Sequence, residues 1–181
     1  MIILSILFFV TALIYSSVGF GGGSTYLAIL LIWGVPYTIF PVIALVCNII
    51  VVSGNSINFI RSKNININLL FPYLIGSIPF AFIGGSITIE KSLFEILLFC
   101  VLLVAGIFLL IESKSFNKEQ IKINKIPRLI SISIGSIIGF MSGIVGIGGG
   151  IFLSPLLFLM KAGYPRHITS SPYLFILINS F

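Results

Sequence analysis

Apolar residues run almost unbroken from Ile2 to Val18 and then meet "GFGGGST", where an ordinary membrane helix would continue. The pattern predicts one helix up to the glycines and a second, shorter one from Ser24 to Trp33. Ten residues of helix rise roughly 15 Å, about half the hydrocarbon core, so that second piece cannot span. A tight "GVPY" turn then leads into a full-length helix from Thr38 to about Ile60. After a polar link, "RSKNINI", a helix runs from about Asn68 to Ile87. The short turn "TIEKS" precedes another from about Leu93 to Ile111. Residues 112–127 form the one sizeable polar loop. The pattern then restarts: Arg128 to Gly143 is apolar, "GIVGIGGG" breaks it, Ile151 to Lys161 makes a second short helix, "AGYPRH" turns, and a last helix begins at Thr169.

The restart reads as an internal repeat. Gly19 and Gly21-Gly22-Gly23 align with Gly146 and Gly148-Gly149-Gly150 at an offset of 127. Gly34 and Pro36 align with Gly163 and Pro165 at 129, and Thr38, Pro41 and Asn48 with Thr169, Pro172 and Asn179 at 131. The expectation is an all-α polytopic membrane bundle of two homologous repeats with Gly-broken half-helices. The first repeat covers 1–111, a cytoplasmic connector 112–127, and an incomplete second repeat 128–181. A whole second repeat predicts that the parent reading frame continues past Phe181 for roughly 65 to 80 residues, with two more apolar segments. A stop codon there with a stable folded product would refute it.

Composition places this pattern in lipid. The chain is 58% hydrophobic and 8% charged, with a mean hydropathy of +1.23, whereas soluble domains carry about 25% charged residues. Its N-terminus lacks the basic n-region of a signal peptide, so the first run is a mature helix. The net charge of +6 is an orientation signal, because the basic residues fall between apolar runs. Nucleic acid is not an expected partner, since no basic face is patterned. Arg61 and Lys63, and the four lysines of 112–127 with Arg128, put those two links in the cytoplasm. "GVPY" then lies outside, while "KAGYPRH", with Lys161 and Arg166, lies inside. Equivalent turns on opposite faces make the second repeat inverted, with the glycine breaks as re-entrant points and the N-terminus outside; the alternative is a parallel repeat of four simple crossings, with both turns on one face and Lys161 and Arg166 outside.

Broken backbone at membrane depth is tolerated only where it is buried in protein or lines a cavity. A glycine break before a half-helix exposes free N–H groups whose dipole favours an anion. Paired breaks in corresponding positions point to a transporter's midplane site. The candidate substrate-binding residues are therefore Gly21, Gly22, Gly23, Ser24, Thr25, Asn48, Gly148, Gly149, Gly150 and Asn179. Ser24 and Thr25 offer hydroxyls as caps or added donors. Thr38 with Pro41, and Thr169 with Pro172, read as helix starts. Asn48, Asn55 and Asn58 form a polar stripe for a cavity or for interhelical hydrogen bonds. Asn58 reads as interfacial.

Other polar positions have plainer readings. Ser131, Gly135, Gly139 and Gly143 form one small-residue ridge for helix packing, and Ser77, Ala81 and Gly85 another. Cys47 and Cys100 read as buried small hydrophobes, and His167 as a solvated loop residue. Glu95 forms an i,i+4 surface pair with Lys91 and is the sole visible acid for proton coupling. No paired carboxylates, nucleophile–histidine set, metal-ligand cluster or cofactor motif occurs, so neither catalysis nor a cofactor is expected.

"VGFGGGSTYLAILLIWGVP" and "VGIGGGIFLSPLLFLMKAGYP" together resemble the sulfite exporter TauE/SafE family, and the resemblance covers the whole chain. It implies about eight membrane segments in two related halves in a bacterial inner membrane. It also implies export of small sulfur-containing anions such as sulfite or organosulfonates. The expected partners are that small anion and the bilayer, and homo-oligomerisation is compatible with the pattern. A non-transporting membrane scaffold is the alternative, but a scaffold needs no repeated half-helix breaks.

Overall fold

A computed structural model describes residues 2–18, 20–62, 66–114, 123–124 and 126–181. Gly19, Lys63 and most of the 112–127 connector lie outside the described residues. The chain is all-helical, with no strand among the described residues. The helices are α1 (Ile2–Val18), α2 (Gly23–Ile32), α3 (Phe40–Arg61), α4 (Ile67–Gly85), α5 (Lys91–Lys114), α6 (Arg128–Val145), α7 (Gly150–Leu159) and α8 (Pro165–Asn179). Four segments are long and apolar enough to cross a membrane: Tyr37–Arg61, Ile67–Gly85, Lys91–Phe108 and Arg128–Val145. The half-helices α2 and α7 are ten residues each.

The largest interface is α4 against α6, and glycine makes it. A methyl at Gly135, Gly139 or Gly143 would strike the backbone carbonyls of Tyr73, Ser77 and Ala81 in turn. From the other side, Gly76 and Gly84 meet the carbonyls of Ile132 and Phe140. Lipid supplies no hydrophobic drive between helices, so backbone-to-backbone van der Waals contact holds such a pair. The α6 ridge is as expected. On α4 the close positions are Gly76 and Gly84; Gly85 sits a looser 3.7 Å from Gly143 O. Contacts rise together in number, so α4 and α6 run parallel. The first residues of α4 and α6 therefore lie at one end of the bundle.

α3 and α8 pair the opposite way. Val52 packs on Tyr173 and Ile176, Phe59 stacks 5.1 Å from Tyr173, and Asn48 and Ser180 both reach Gly148. These contacts fall in number on one helix as they rise on the other. The turn before α3 meets the start of α5, through Tyr37 and Phe40 on Phe94 at 6.3 and 6.0 Å. The turn before α8 meets the opposite end. Asn124 N–H donates to Lys161 O at 3.0 Å, and a methyl at Gly163 would touch Leu69 of α4.

Each break is a hairpin. Phe8 and Tyr26 rings meet edge-on at 4.9 Å, and Tyr15 shares a 2.6 Å hydrogen bond with Thr25, so α2 folds back along α1. At the second break a methyl on Gly149 would lie 2.9 Å from Ile138 of α6. Gly22 (φ 83°) and Gly149 (φ 75°) are the N-caps of α2 and α7, in the left-handed region that glycine enters without penalty.

Several local expectations are corrected. Thr38 lies in a 3-10 turn and α3 is capped by Ile39, although Pro41 does sit in its first turn. α8 starts at Pro165, so Thr169 and Pro172 are inside it and His167 is in its first turn, half-buried. Thr169 Oγ1 donates back to Arg166 O instead of capping. The left-handed residue that follows α7 is Lys161 (φ 50°), where Gly34 (φ 69°) follows α2. Cys47 is half-buried and Cys100 exposed, lining a cavity between α5, α6 and α7. The α5 helix runs to Lys114, past the expected end at 111.

The glycine seam makes a prediction for stability. Gly139→Ala should cost about 1–3 kcal/mol, because its Cβ meets backbone that cannot rotate away. Gly106→Ala, with nothing within 4 Å, should change stability by less than about 0.5 kcal/mol. Thermal unfolding in detergent checks both, and equal values would remove the seam's role.

Candidate functional site

The tips of the two hairpins meet on one side chain, Asn48 of α3. It is fully buried, and its Nδ2 donates to Ile147 O in the second break at 3.0 Å. A methyl at Gly21 would lie 2.8 Å from Asn48 Cγ. One at Gly23 would lie 2.8 Å from Asn48 Nδ2 and 3.0 Å from Ile147 O. A methyl at Gly148 would be 3.1 Å from both Asn48 Nδ2 and Ser180 Oγ. Glycines from both breaks thus enclose one carboxamide, and any side chain there would displace it.

Free backbone donors gather at this point. The first intrahelical bond of α2 is Thr25 N–H to Gly22 O, and that of α7 is Phe152 N–H to Gly149 O. The N–H groups of Gly23 and Ser24, and of Gly150 and Ile151, precede those bonds and have no intrahelical acceptor. Gly21–Ser24 and Gly146–Pro155 are all buried. No ionisable acid or base is among the buried polar residues. Two positive helix ends therefore face each other in an interior without charged side chains. Among the described residues no cluster of His, Cys, Asp or Glu could hold a metal ion.

The other expected residues are placed as follows. Ser24 is buried, and neither it nor Thr25 caps α2; the Thr25 hydroxyl bonds to Tyr15 within the hairpin. Asn55 belongs to the same face of α3 as Asn48 but donates to Ser16 O at 2.7 Å, closing the end of α1. Asn58 is exposed. Gly149 and Gly150 pack on α8, a methyl at Gly149 lying 2.9 Å from Phe175 and one at Gly150 running into Ile176.

Asn179 is not brought to the tips. Its Nδ2 donates to Phe175 O in its own helix, and its Oδ1 is buried without a partner. It lines a 250 Å³ cavity with Ser142, Gly143, Ser180 and residues of α3 and α4. The residues of α8 and its C-cap that reach Gly148 are Ile176 and Ser180, and Phe175 reaches Gly149. Ile176 meets Gly148 and Gly150 as Asn48 meets Gly21 and Gly23, so the two tips differ chemically. Ser180 was missed because it neighbours the aligned Asn179 but projects about 100° away from it, toward the face of Ile176. Lys91 and Glu95 form the expected exposed pair, 3.7 Å apart, at the start of α5.

Known proteins resemble the chain over its full span. Residues 4–181 match the family described as Sulfite exporter TauE/SafE. The chain is 31% identical over 179 residues to "Probable membrane transporter protein y4hK" of Sinorhizobium fredii (strain NBRC 101917 / NGR234), covering 98% of this chain and 72% of that protein. It is also 31% identical over 186 residues to "Probable membrane transporter protein MJ0441" of Methanocaldococcus jannaschii, covering 93% and 66%. A 64-residue stretch is 36% identical to "Sulfite exporter TauE/SafE family protein 5" of Arabidopsis thaliana, covering 35% of this chain and 14% of that protein. No solved structure matches it. With two glycine-tipped hairpins closing on a buried asparagine and the match running from residue 4 to residue 181, the chain belongs to the sulfite exporter TauE/SafE family of membrane transporters.

Proposed function

We propose that the chain exports small sulfur-containing anions, such as sulfite or organosulfonates, across the bacterial inner membrane. The anion binds between the N-termini of α2 and α7. The observation that carries this reading is the meeting of two glycine-capped half-helix ends on Asn48, in a buried volume whose positive field comes from backbone alone. Gly21 to Thr25 and Gly148 to Gly150 supply the tips, and Asn48 orients the ligand. Asn179 lines the adjoining cavity through which the anion arrives. The tips are buried in this conformation, so binding follows an opening of one hairpin against α3 and α8.

Two halves related by inversion account for the arrangement. Three contacts support it. α3 and α8 are antiparallel, the turns before them sit at opposite ends of the bundle, and Thr11 and Ile138 take equivalent places beside Gly22 and Gly149, 127 residues apart.

Gly22→Val and Gly149→Val should each lower anion efflux from cells by about tenfold or more while leaving membrane insertion intact. A β-branched residue is strained at positive φ and blocks the approach to the amides. Asn48→Leu should lower it several-fold. Normal efflux in all three variants would return the glycines to a packing role. For topology, Tyr37→Cys and Tyr164→Cys in a background lacking Cys47 and Cys100 are treated with a membrane-impermeant thiol reagent. Intact cells should label the Tyr37→Cys variant alone; equal labelling of both would defeat inversion.

A further inference from the structure

Asn48 leaves one atom unused. Its Nδ2 faces a carbonyl, Ile147 O, which can only accept, so the orientation of the amide is fixed by that bond. Its Oδ1 therefore points the other way, toward Gly21, where a methyl would run into it. This oxygen is buried and has no hydrogen-bond partner, in a residue with no exposed surface. A buried acceptor left unpaired is costly, and its place at a functional centre asks for a donor that arrives from outside.

The surroundings decide what kind of donor. The nearest backbone ends are the first turns of α2 and α7, whose dipoles oppose a bare cation. They favour an anion, and an ordinary fully deprotonated oxyanion is acceptor-only and would face Oδ1 with like partial charge. The field is also limited in size. Each helix end is equivalent to roughly half an elementary charge, so two offset about one negative charge. No buried acid or base adds to that sum.

Resting on the reading above, we propose that the ligand of this site is a singly charged oxyanion that carries its own O–H or N–H group. The oxygens of the anionic group take the free amides of the two tips, and the ligand's O–H or N–H donates to Asn48 Oδ1. A monoprotonated oxyacid or a hydroxylated sulfonate fits both requirements. A dianion such as sulfate meets neither.

The test uses the purified chain in detergent and two probes of equal charge and length, isethionate and propane-1-sulfonate, which differ in a terminal hydroxyl against a methyl. Isethionate should bind about tenfold more tightly, as expected when a buried acceptor is satisfied in one complex and orphaned in the other. The preference should vanish in Asn48→Leu, and in Asn48→Ser if the leucine variant fails to insert. Sulfate should bind more weakly than isethionate. Equal affinity for the two sulfonates, a preference that survives both substitutions, or sulfate binding as tightly as isethionate would overturn the inference while leaving anion transport standing. Binding of none of the three would overturn this inference and the proposed function together.

Discussion

Peptide groups have nowhere to turn in lipid, and the rest of this structure follows from how two interrupted helices meet that constraint. α6 ends by returning the Gly146 and Ile147 N–H groups to Ser142 O, which leaves Ile147 O pointing inward. Asn48 takes it. At the other hairpin the end of α1 presents Ser16 O, which accepts from Asn55 Nδ2 and the Tyr173 hydroxyl. Asn48 and Asn55 are two turns apart on one helix, so a single face of α3 closes both breaks. Without Asn48 the second tip would bury an unpaired carbonyl, while at the first Ser16 O would keep only the Tyr173 hydroxyl.

A break held by side chains needs a rigid frame around it, and the α4–α6 seam supplies one. Its contacts are backbone on backbone, which leaves little room for either helix to slide. α6 is also the first arm of the second hairpin, so the frame continues directly into the site through Ser142 and Gly146. The α1–α2 hairpin has no such seam. It is joined by a Phe8–Tyr26 ring contact and the Tyr15–Thr25 hydroxyl pair, while much of α1 is exposed. The two hairpins are thus held differently, the second through the α4–α6 seam and the first through side chains of α1 and α2.

What the sequence made legible follows from where glycine is irreplaceable. Positive φ at Gly22 and Gly149 allows little else, so the breaks and both half-helices could be read directly. The α6 ridge was legible for a related reason, since small residues every fourth position leave one reading in lipid. Positions with weaker constraints misled. Lys161 tolerates φ 50° where glycine was expected. Aligning Asn48 with Asn179 also hid Ile176 and Ser180, the residues that reach Gly148. Gly76 and Gly84 escaped notice because Phe80 interrupts their spacing, and only the facing carbonyls of α6 reveal the need for them. Identity at aligned positions recorded chemistry; facing positions recorded geometry.

The absence of charge among the buried polar residues has a physical rationale of its own. An arginine at the tips would bind an oxyanion in bidentate fashion and hold it strongly in a medium of low dielectric constant. It would also leave an uncompensated buried cation whenever the site stood empty, a state expensive enough to distort the fold. Helix ends avoid both problems. Each carries only about half an elementary charge, fixed in the backbone, so the empty site holds no full buried cation, and in the proposed cycle separating the hairpins turns the two dipoles away from each other. In the proposed cycle the same movement that opens the site would weaken its hold on the anion. A carrier must bind and release in one cycle, and glycine-capped half-helices let a single displacement do both.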